Sequence, residues 1–325
     1  MKFDVVMSNP PYNNGGYKEF IKSTTYKQGV FIVPANWQSL DDPLFNKLII
    51  NHSKVIKYYP DTTEVFSSID QFGGISIIHI DRSIDNLVTS VINISNSNQY
   101  YNNTRLRSVL LNNQITLHNI GYSILSKIIR QEELGTLKDN LNVNLNSFGI
   151  DIESLNKNNK LSDIQDDNHQ YKVINGRTVY GYISESSIQN SSHINEYKLC
   201  MHERVGYGGI PDKQGKVRGC KELLLCHPSI VASDATLILY TSPNKQLVLD
   251  QFKWISTKFT RFLFYLGNMT SHFSSSSAWR FAIAKPSSLI YNYTEFDIYS
   301  YFNLSSEEAS CIEYTIKPMD LVEIF

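Results

Sequence analysis

The 325-residue sequence lacks any apolar run near the roughly 20 residues that a membrane-spanning helix needs. Its N-terminus also lacks the charged, apolar and small-residue pattern of a signal peptide. Cysteine is scarce, and the four present are too few and too unevenly spaced for a disulfide framework. We therefore expect a cytoplasmic protein with reduced thiols and no membrane partner.

An excess of charge of one sign is lacking as well, because 30 Lys and Arg residues stand against 31 Asp and Glu residues, for a formal net charge of -1. No global attraction draws such a chain to nucleic acid, so any contact with nucleic acid needs a local basic surface. Cys220, Cys226 and His227 have no fourth ligand at zinc-like spacing. The sequence therefore predicts no metal site.

Apolar residues make up 42% of the sequence, which is enough to form a hydrophobic core and two domains. Residues 1–90 alternate short apolar runs with helical stretches, a pattern typical of an α/β sheet. The alternation within the last apolar run favours an edge or half-exposed strand. The predicted strands are 3–7, 30–33, 55–59 and 74–80, and the predicted helices are 17–27 and 43–51.

A polar stretch rich in Asn and Ser, from Asp85 to Tyr101, suggests a boundary that divides the chain into domains at 1–90 and 91–325. In the longest helical pattern of the second part the aromatic residues fall on one face, which indicates a core position. Ser305 or Ser306 is the predicted N-cap of a helix near the end of the chain. The other predicted elements of this part are a helix over 115–131, β structure over 171–188 and that long helix over 247–266.

The strongest chemical signal is Asn9-Pro10-Pro11-Tyr12, which directly follows the first predicted strand. Consecutive prolines end a strand because they donate no N–H, and open α/β sheets bind ligands at the carboxyl ends of strands. An aromatic exocyclic amine is a poor nucleophile, so an enzyme that modifies it must hold both of its N–H groups.

The Asn9 side-chain oxygen and the Pro10 carbonyl can each accept one of those hydrogen bonds, and the two proline rings stiffen the backbone that aims them. Tyr12 can stack on a base that has been flipped out of a duplex. The bare motif is equally compatible with a tight turn or a proline-rich ligand site.

In these residues the chain resembles the N6-adenine DNA methyltransferases of the gamma type, related to the modification halves of type II restriction enzymes. Residues 3–12 are similar to the family's fourth motif, and Phe31 to Trp37 is similar to the strand and turn that follow it. The resemblance implies a partial class I methyltransferase sheet of Rossmann type, S-adenosylmethionine as cofactor and double-stranded DNA as substrate. It also implies that Phe66, with Phe72 as second choice, stacks on the flipped base, although a core role is an open alternative for both.

The second half is similar, more loosely, to the family's target-recognition region, which implies an α+β recognition domain. Residues 204–219 hold five of the 16 glycines, and residues 198–222 hold six Lys and Arg against three Asp and Glu. Such an excess suits phosphate binding, and an exposed solvated loop has the same composition. The predicted DNA contacts are Arg204, Lys213, Lys216, Arg218 and Arg280.

The family's glycine-bearing motif, which cradles the methionine part of the cofactor, has no match here. Only eight residues precede Asn9, and no strand followed by a Gly-x-Gly turn occurs near the C-terminus. The first strand would then be an unpaired apolar edge, which proteins usually cover. We therefore expect a second subunit that supplies the cofactor half, or a homodimer. Two alternatives stay open: a catalytically inactive DNA-binding protein derived from such an enzyme, and methylation of RNA or protein by the same loop.

Overall fold

In the computed structural model, the described residues are 2–39, 42–68, 73–85, 88–95, 98–104, 116–129, 135, 137–141, 144–145, 147–204, 211–212, 214–268, 279, 281–290 and 292–325. They form a mixed α/β structure with three sheets and eight α-helices. None of these helices is long and apolar enough to cross a membrane.

The first sheet has six strands in the order β1-β2-β4-β3-β5-β6. They are β1 (Lys2–Ser8), β2 (Thr25–Pro34), β3 (Ser53–Tyr59), β4 (Ile75–Asp81), β5 (Thr89–Ser95) and β6 (Asn98–Thr104). β1 is parallel to β2 and β3 is parallel to β5, whereas β4 runs antiparallel to both of its neighbours. The carboxyl ends of β1, β2, β3 and β5 therefore lie along one side of the sheet, which we call the carboxyl edge.

Two helices, α1 (Gly16–Ser23) and α2 (Pro43–His52), cover one face of this sheet. Ile21 of α1 and Phe45 and Ile49 of α2 are fully buried in one core with Phe31 and Ile56 of the sheet. Burial of this apolar surface, rather than helix propensity, holds such short helices in place.

Three predictions for this part need correction. The helix predicted over 17–27 ends at Ser23, because the chain from Thr25 onward pairs with β1. The strand predicted over 74–80 is not at an edge, since β4 pairs on both sides. Its partly exposed residues alternate with buried ones because they lie on the sheet face away from α1 and α2. The sheet also continues through the stretch interpreted as a boundary, as β5 and β6, so the division at residue 90 stays a prediction about domains and does not mark the end of the sheet.

The second sheet has the order β14-β11-β10-β13-β7, and the third has the order β12-β8-β9. Successive residues of the second sheet face opposite cores: Leu199 and Met201 pack toward helices, and Cys200 packs toward the third sheet. The strands are β7 (Asn144–Leu145), β8 (Tyr171–Asn175), β9 (Thr178–Ile183), β10 (Tyr197–His202), β11 (Leu223–Cys226), β12 (Ile230–Ala232), β13 (Thr236–Ser242) and β14 (Val322–Ile324).

The remaining helices are α3 (Asn119–Ile129), α4 (Ile152–Lys157), α5 (Lys245–Ser256), α6 (Lys258–Gly267), α7 (Glu295–Tyr301) and α8 (Ser306–Thr315). The single helix predicted over 247–266 is two helices, because Thr257 is non-helical and its hydroxyl caps α6 by accepting the N–H of Thr260. The prediction that its aromatic residues are core is confirmed for Phe259 and Phe262, which are fully buried. Ser305, one of the two predicted N-caps, is the N-cap of α8.

Residues 116–118, just before α3, connect that helix to the first sheet. Its Leu117 N–H donates to the Gln38 side-chain oxygen at 2.7 Å, and the Asn93 amide donates to the Leu117 carbonyl at 2.5 Å. The Asn93 oxygen in turn accepts the N–H of Asn119 at 2.6 Å. Because Asn93 lies near the end of β5, the two parts meet at the carboxyl edge.

Candidate active site and nucleic-acid interface

The Asn-Pro-Pro-Tyr loop leaves β1 at the carboxyl edge, beside the end of β2. Pro10 is buried, whereas Asn9 is exposed, and no other residue in the described part of the chain forms a hydrogen bond with the Asn9 side chain. A buried proline anchors the backbone on one side of this amide. The Asn9 amide is therefore held at its base and free at its tip to bind a ligand.

A tight turn follows and carries the chain into α1. Asn14 and Gly15 have left-handed backbone angles, with φ of 50° and 74°, and the Gly15 N–H donates to the Tyr12 carbonyl at 3.3 Å. A Cβ atom at Gly16 would lie 3.1 Å from the Pro11 carbonyl oxygen, so a larger residue would require the loop to shift by a few tenths of an ångström. The two glycines explain how the loop turns back over the sheet.

Tyr12 is half-buried and packs at the border of the first core. Its ring meets that of Tyr17 edge-on, with centroids 6.4 Å apart, and its hydroxyl donates to the Ile32 carbonyl of β2 at 3.4 Å. Tyr17 is itself held by a hydrogen bond of 2.9 Å to the Asn36 side chain. These contacts fix the orientation of the Tyr12 ring, and burial raises the pKa of its phenol, which stays protonated at neutral pH. Stacking of this ring on a base stays a prediction.

Phe66 lies on the connection from β3 to β4, which leaves the sheet at the same carboxyl edge. Its N–H donates to the Thr62 carbonyl at 2.9 Å, and its half-buried ring belongs to none of the three hydrophobic cores formed by the described residues. β3 is three strand positions from β1, or about 14 Å at the usual strand spacing. The location is compatible with a role at the edge, and Phe72 lies outside the described residues.

The described residues do not provide a cradle for the methionine part of S-adenosylmethionine. The outer side of β1, where the resemblance places the cofactor half, has no neighbouring strand among them, and none of the three cavities described below borders Asn9. Among the described residues we therefore assign no group to binding of this cofactor.

Three of the predicted DNA contacts, Arg204, Lys216 and Arg218, lie on two adjoining concave surfaces. The first has a volume of about 410 Å³ and contains Arg204; the second has a volume of about 470 Å³ and contains Lys216 and Arg218. Both are lined by Arg177 and Glu222, so they share a wall. Lys213 and Arg280 lie outside the described residues.

Sequence reasoning missed three further basic residues on these surfaces, Arg177, Lys221 and Lys317. Arg177 follows Gly176 at the tip of the β8–β9 hairpin, where Gly176 has a φ of 56°. The dipeptide Asn175-Gly176 between two β-rich runs is a strong hairpin signal that could have located this arginine at an exposed turn. Lys317 is distant in sequence, and nothing local points to it.

Not all of these cations are available to a ligand. Arg218 forms an ion pair with Glu222, and Lys317 pairs with Asp212 at 2.7 Å. The Lys216 ammonium lies 5.9 Å from the centre of the Tyr314 ring. By contrast, Arg177, Arg204 and Lys221 have no ion-pair partner within the described part of the chain.

The charges near this surface shift the pKa values of His202 and Glu222. Burial, and then the positive charge of Lys221, lower the pKa of His202 below its ordinary value. The pKa of Glu222 is lowered despite partial burial, because it accepts a backbone hydrogen bond and lies near Arg218 and Arg177. His202 is therefore neutral and Glu222 ionised at neutral pH.

A third cavity, of about 440 Å³, lies where the two parts of the chain meet. Asp61 and Asn93 line it from the carboxyl edge, and His118 and Tyr265 line it from the helical part. The Nδ1 atom of His118 accepts the Gly121 N–H at 3.0 Å, and burial lowers the pKa of this imidazole to about 4. His118 is accordingly neutral at pH 7, with its proton on Nε2.

The buried cysteines Cys220 and Cys226 lie in different cores. In the described ranges no group of three His, Cys, Asp or Glu side chains is arranged to hold a metal ion. Cys220 packs in the core beside the helices, and Cys226 packs in the other core, against the third sheet.

No family model matches the sequence, and no curated protein matches it. Among solved structures, the type IIG restriction endonuclease BpuSI matches over 85% of this chain and 42% of its own, at 8% identity and a TM-score of 0.33. The type IIL restriction-modification enzyme MmeI, in complex with DNA, matches over 86% of this chain and 46% of its own, at 9% identity and a TM-score of 0.40. The distant structural neighbours are thus restriction-modification enzymes, and the chain spans less than half of the length of each.

Proposed function

We propose that this chain is the acceptor-binding and target-recognition part of an S-adenosylmethionine-dependent DNA N6-adenine methyltransferase. One observation carries the proposal. The exposed Asn9 amide stands at the carboxyl end of a parallel strand pair, is anchored by the buried Pro10, and has no partner among the described residues. Open α/β sheets bind their ligands at this position.

Asn9 and Pro10 would act on the amine of an extruded adenine. The Asn9 side-chain oxygen accepts one N–H, the Pro10 carbonyl accepts the other, and the lone pair of the nitrogen is turned out of conjugation with the ring. Flipping the base out costs about a few kcal/mol, which stacking on the Tyr12 ring offsets in part. The cofactor, bound outside the described residues, supplies the methyl group.

The cofactor half, which we do not find among the described residues, would pair with β1, and a second subunit is one way to supply it. β1 is the terminal strand of its sheet, and its side chains Val5 and Met7 are 60% and 78% exposed. An apolar strand with unpaired backbone groups is a template for pairing with another chain. A homodimer would cover the same strand but would not supply the glycine cradle.

The test is methyl transfer by the protein purified from its native cell with any subunit that accompanies it. We expect N6-methyladenine in unmethylated DNA incubated with S-adenosylmethionine, measured by mass spectrometry of the nucleosides. Asn9→Ala should lower the rate at least about a hundredfold while DNA binding is retained, because it removes a group that positions the reacting amine.

Asn13→Ala is the matched control, since Asn13 is exposed on the same loop and its contribution to the turn comes from its backbone carbonyl. Equal activity of Asn9→Ala and wild type would contradict the proposal. If the wild-type assembly binds DNA and transfers no methyl group, the chain is a non-catalytic DNA-binding protein.

A further inference from the structure

One turn contributes residues both to the cavity at the carboxyl edge and to the second basic surface. Pro211 and Gly215 line the cavity at the carboxyl edge, and Asp212 and Lys216, on the same turn, line the second basic surface. Tyr314, which lines the cavity at the carboxyl edge, donates its hydroxyl hydrogen to the Gln214 carbonyl at 2.7 Å. The second basic surface then meets the first basic surface at a wall shared by both.

The described residues of this turn are linked by hydrogen bonds to Asp212. The Asp212 carboxylate accepts the N–H groups of Gln214 and Lys216 at 2.8 and 2.9 Å, and the Asp212 N–H donates to the Lys216 carbonyl at 3.0 Å. Lys317 neutralises the same carboxylate. Asp212 is thus committed to holding the turn, and its charge is screened from a ligand on the surface.

Charge divides this surface into two unequal parts. On the side of the hairpin, Arg177, Arg204 and Lys221 surround the neutral His202. Two carboxylates lie near them: Glu222, which is paired with Arg218 and also lies near Arg177, and Glu203, which lies close enough to His202 to affect its pKa. On the other side the cations are engaged in ion pairs or over an aromatic ring. The unpaired positive charge is therefore concentrated around the tip of the β8–β9 hairpin.

The tip itself is rigid. Gly176 is left-handed, its N–H donates to the Thr236 hydroxyl at 3.0 Å, and a side chain at this position would lie 3.1 Å from the His202 ring. The hairpin is therefore clamped onto β13 while Arg177, the next residue, is exposed. An arginine on a clamped turn loses less conformational freedom on binding than one on a free loop.

We propose that Arg177, Arg204 and Lys221 together bind the phosphate backbone of duplex DNA, with Arg177 at the centre, and that Arg218 contributes little. The choice of duplex DNA as the polyanion rests on the proposed function; the location of the phosphate contacts rests on the geometry alone. The main phosphate contacts therefore lie on the hairpin side of the surface, whereas the composition of the sequence indicates the glycine-rich segment 204–219.

The experiment is fluorescence anisotropy with a labelled duplex of about 20 base pairs, between about 50 and 200 mM KCl. Each phosphate contact releases counterions, so Arg177→Ala, Arg204→Ala and Lys221→Ala should each weaken binding about eightfold at 0.1 M KCl. Each should also lower the slope of log affinity against log salt by about 1. The double change of Arg218→Ala with Glu222→Ala should alter affinity less than about twofold, because it removes an ion pair that carries no net charge.

Lys157→Ala is the control for general charge, since Lys157 is exposed on α4 and lines none of the three cavities. Unchanged affinity and salt slope in Arg177→Ala and Lys221→Ala would overturn the proposal, and so would an equal loss in Lys157→Ala. Tighter binding of a single strand than of the duplex would overturn the choice of partner.

The two proposals fail separately. If Asn9→Ala methylates normally while Arg177→Ala binds weakly, the assignment of methyl transfer is wrong and the DNA surface stands. If Asn9→Ala loses methylation while Arg177→Ala binds like wild type, the DNA surface is wrong and the assignment of methyl transfer stands.

Discussion

The first and second sheets differ in how completely they are covered. In the second sheet all four residues of β11 are buried, because helices pack on one face and the third sheet packs on the other. In the first sheet, α1 and α2 cover one face, and the terminal strand β1 exposes Phe3, Val5 and Met7. The apolar strand β11 is therefore buried on both faces, whereas the apolar strand β1 is exposed. The second sheet is covered on both faces, whereas among the described residues the first sheet ends in an exposed apolar strand.

The largest difference should appear in core truncations of the second sheet. Leu225 is fully buried on β11, so Leu225→Ala should lower the free energy of unfolding by about 2–5 kcal/mol, through lost burial and a residual cavity. Urea denaturation monitored by circular dichroism measures this loss. Leu247, which is 42% exposed on α5, gives the control Leu247→Ala, with an expected loss under about 1 kcal/mol. A similar loss in both variants would contradict the comparison.

The junction of the two parts should respond to pH. The pKa of His118 is about 4 in the folded protein and about 6.5 when unfolded, so the unfolded state binds more protons between these values. Stability should therefore fall as pH decreases through this window, by about 2 kcal/mol between pH 7 and pH 5 from this group.

Urea denaturation at several pH values tests the role of His118. The matched variant is His118→Asn, which keeps an acceptor for the Gly121 N–H but does not titrate. We expect this variant to lose that part of the pH dependence. An unchanged pH profile would show that His118 is not desolvated at the junction.

The smallest effect on the chain itself should come from the edge strand. Met7 is 78% exposed, so Met7→Lys should change the free energy of unfolding of the isolated chain by less than about 0.5 kcal/mol. The same change should prevent co-purification of a second subunit, because a charge on an edge strand opposes strand pairing. A strong loss of stability without a partner would show that β1 is already covered by this chain.

Local sequence predicted much of the first sheet and the loop at its edge. The β-rich run before Pro10 and the start of α2 at Pro43 depend on neighbours within a few residues, and both lie where they were predicted. Ser305, one of two predicted caps, is the N-cap of α8. The break at Thr257 was missed because the apolar periodicity continues through it. Residues such as Phe72, Lys213 and Arg280 lie outside the described part, so the predictions for them are unchanged.

The sequence by itself determined that the first strand ends before the two prolines and that a helix starts at Pro43, because missing N–H groups and caps act over one turn of chain. It also determined that Asn9 follows an apolar strand and is presented by two prolines. Only the tertiary structure decided that β4 lies between β2 and β3, and that Arg177 joins Arg204 and Lys221 on one surface. Such neighbours are brought together by packing between residues far apart in the chain, and no local pattern encodes that packing.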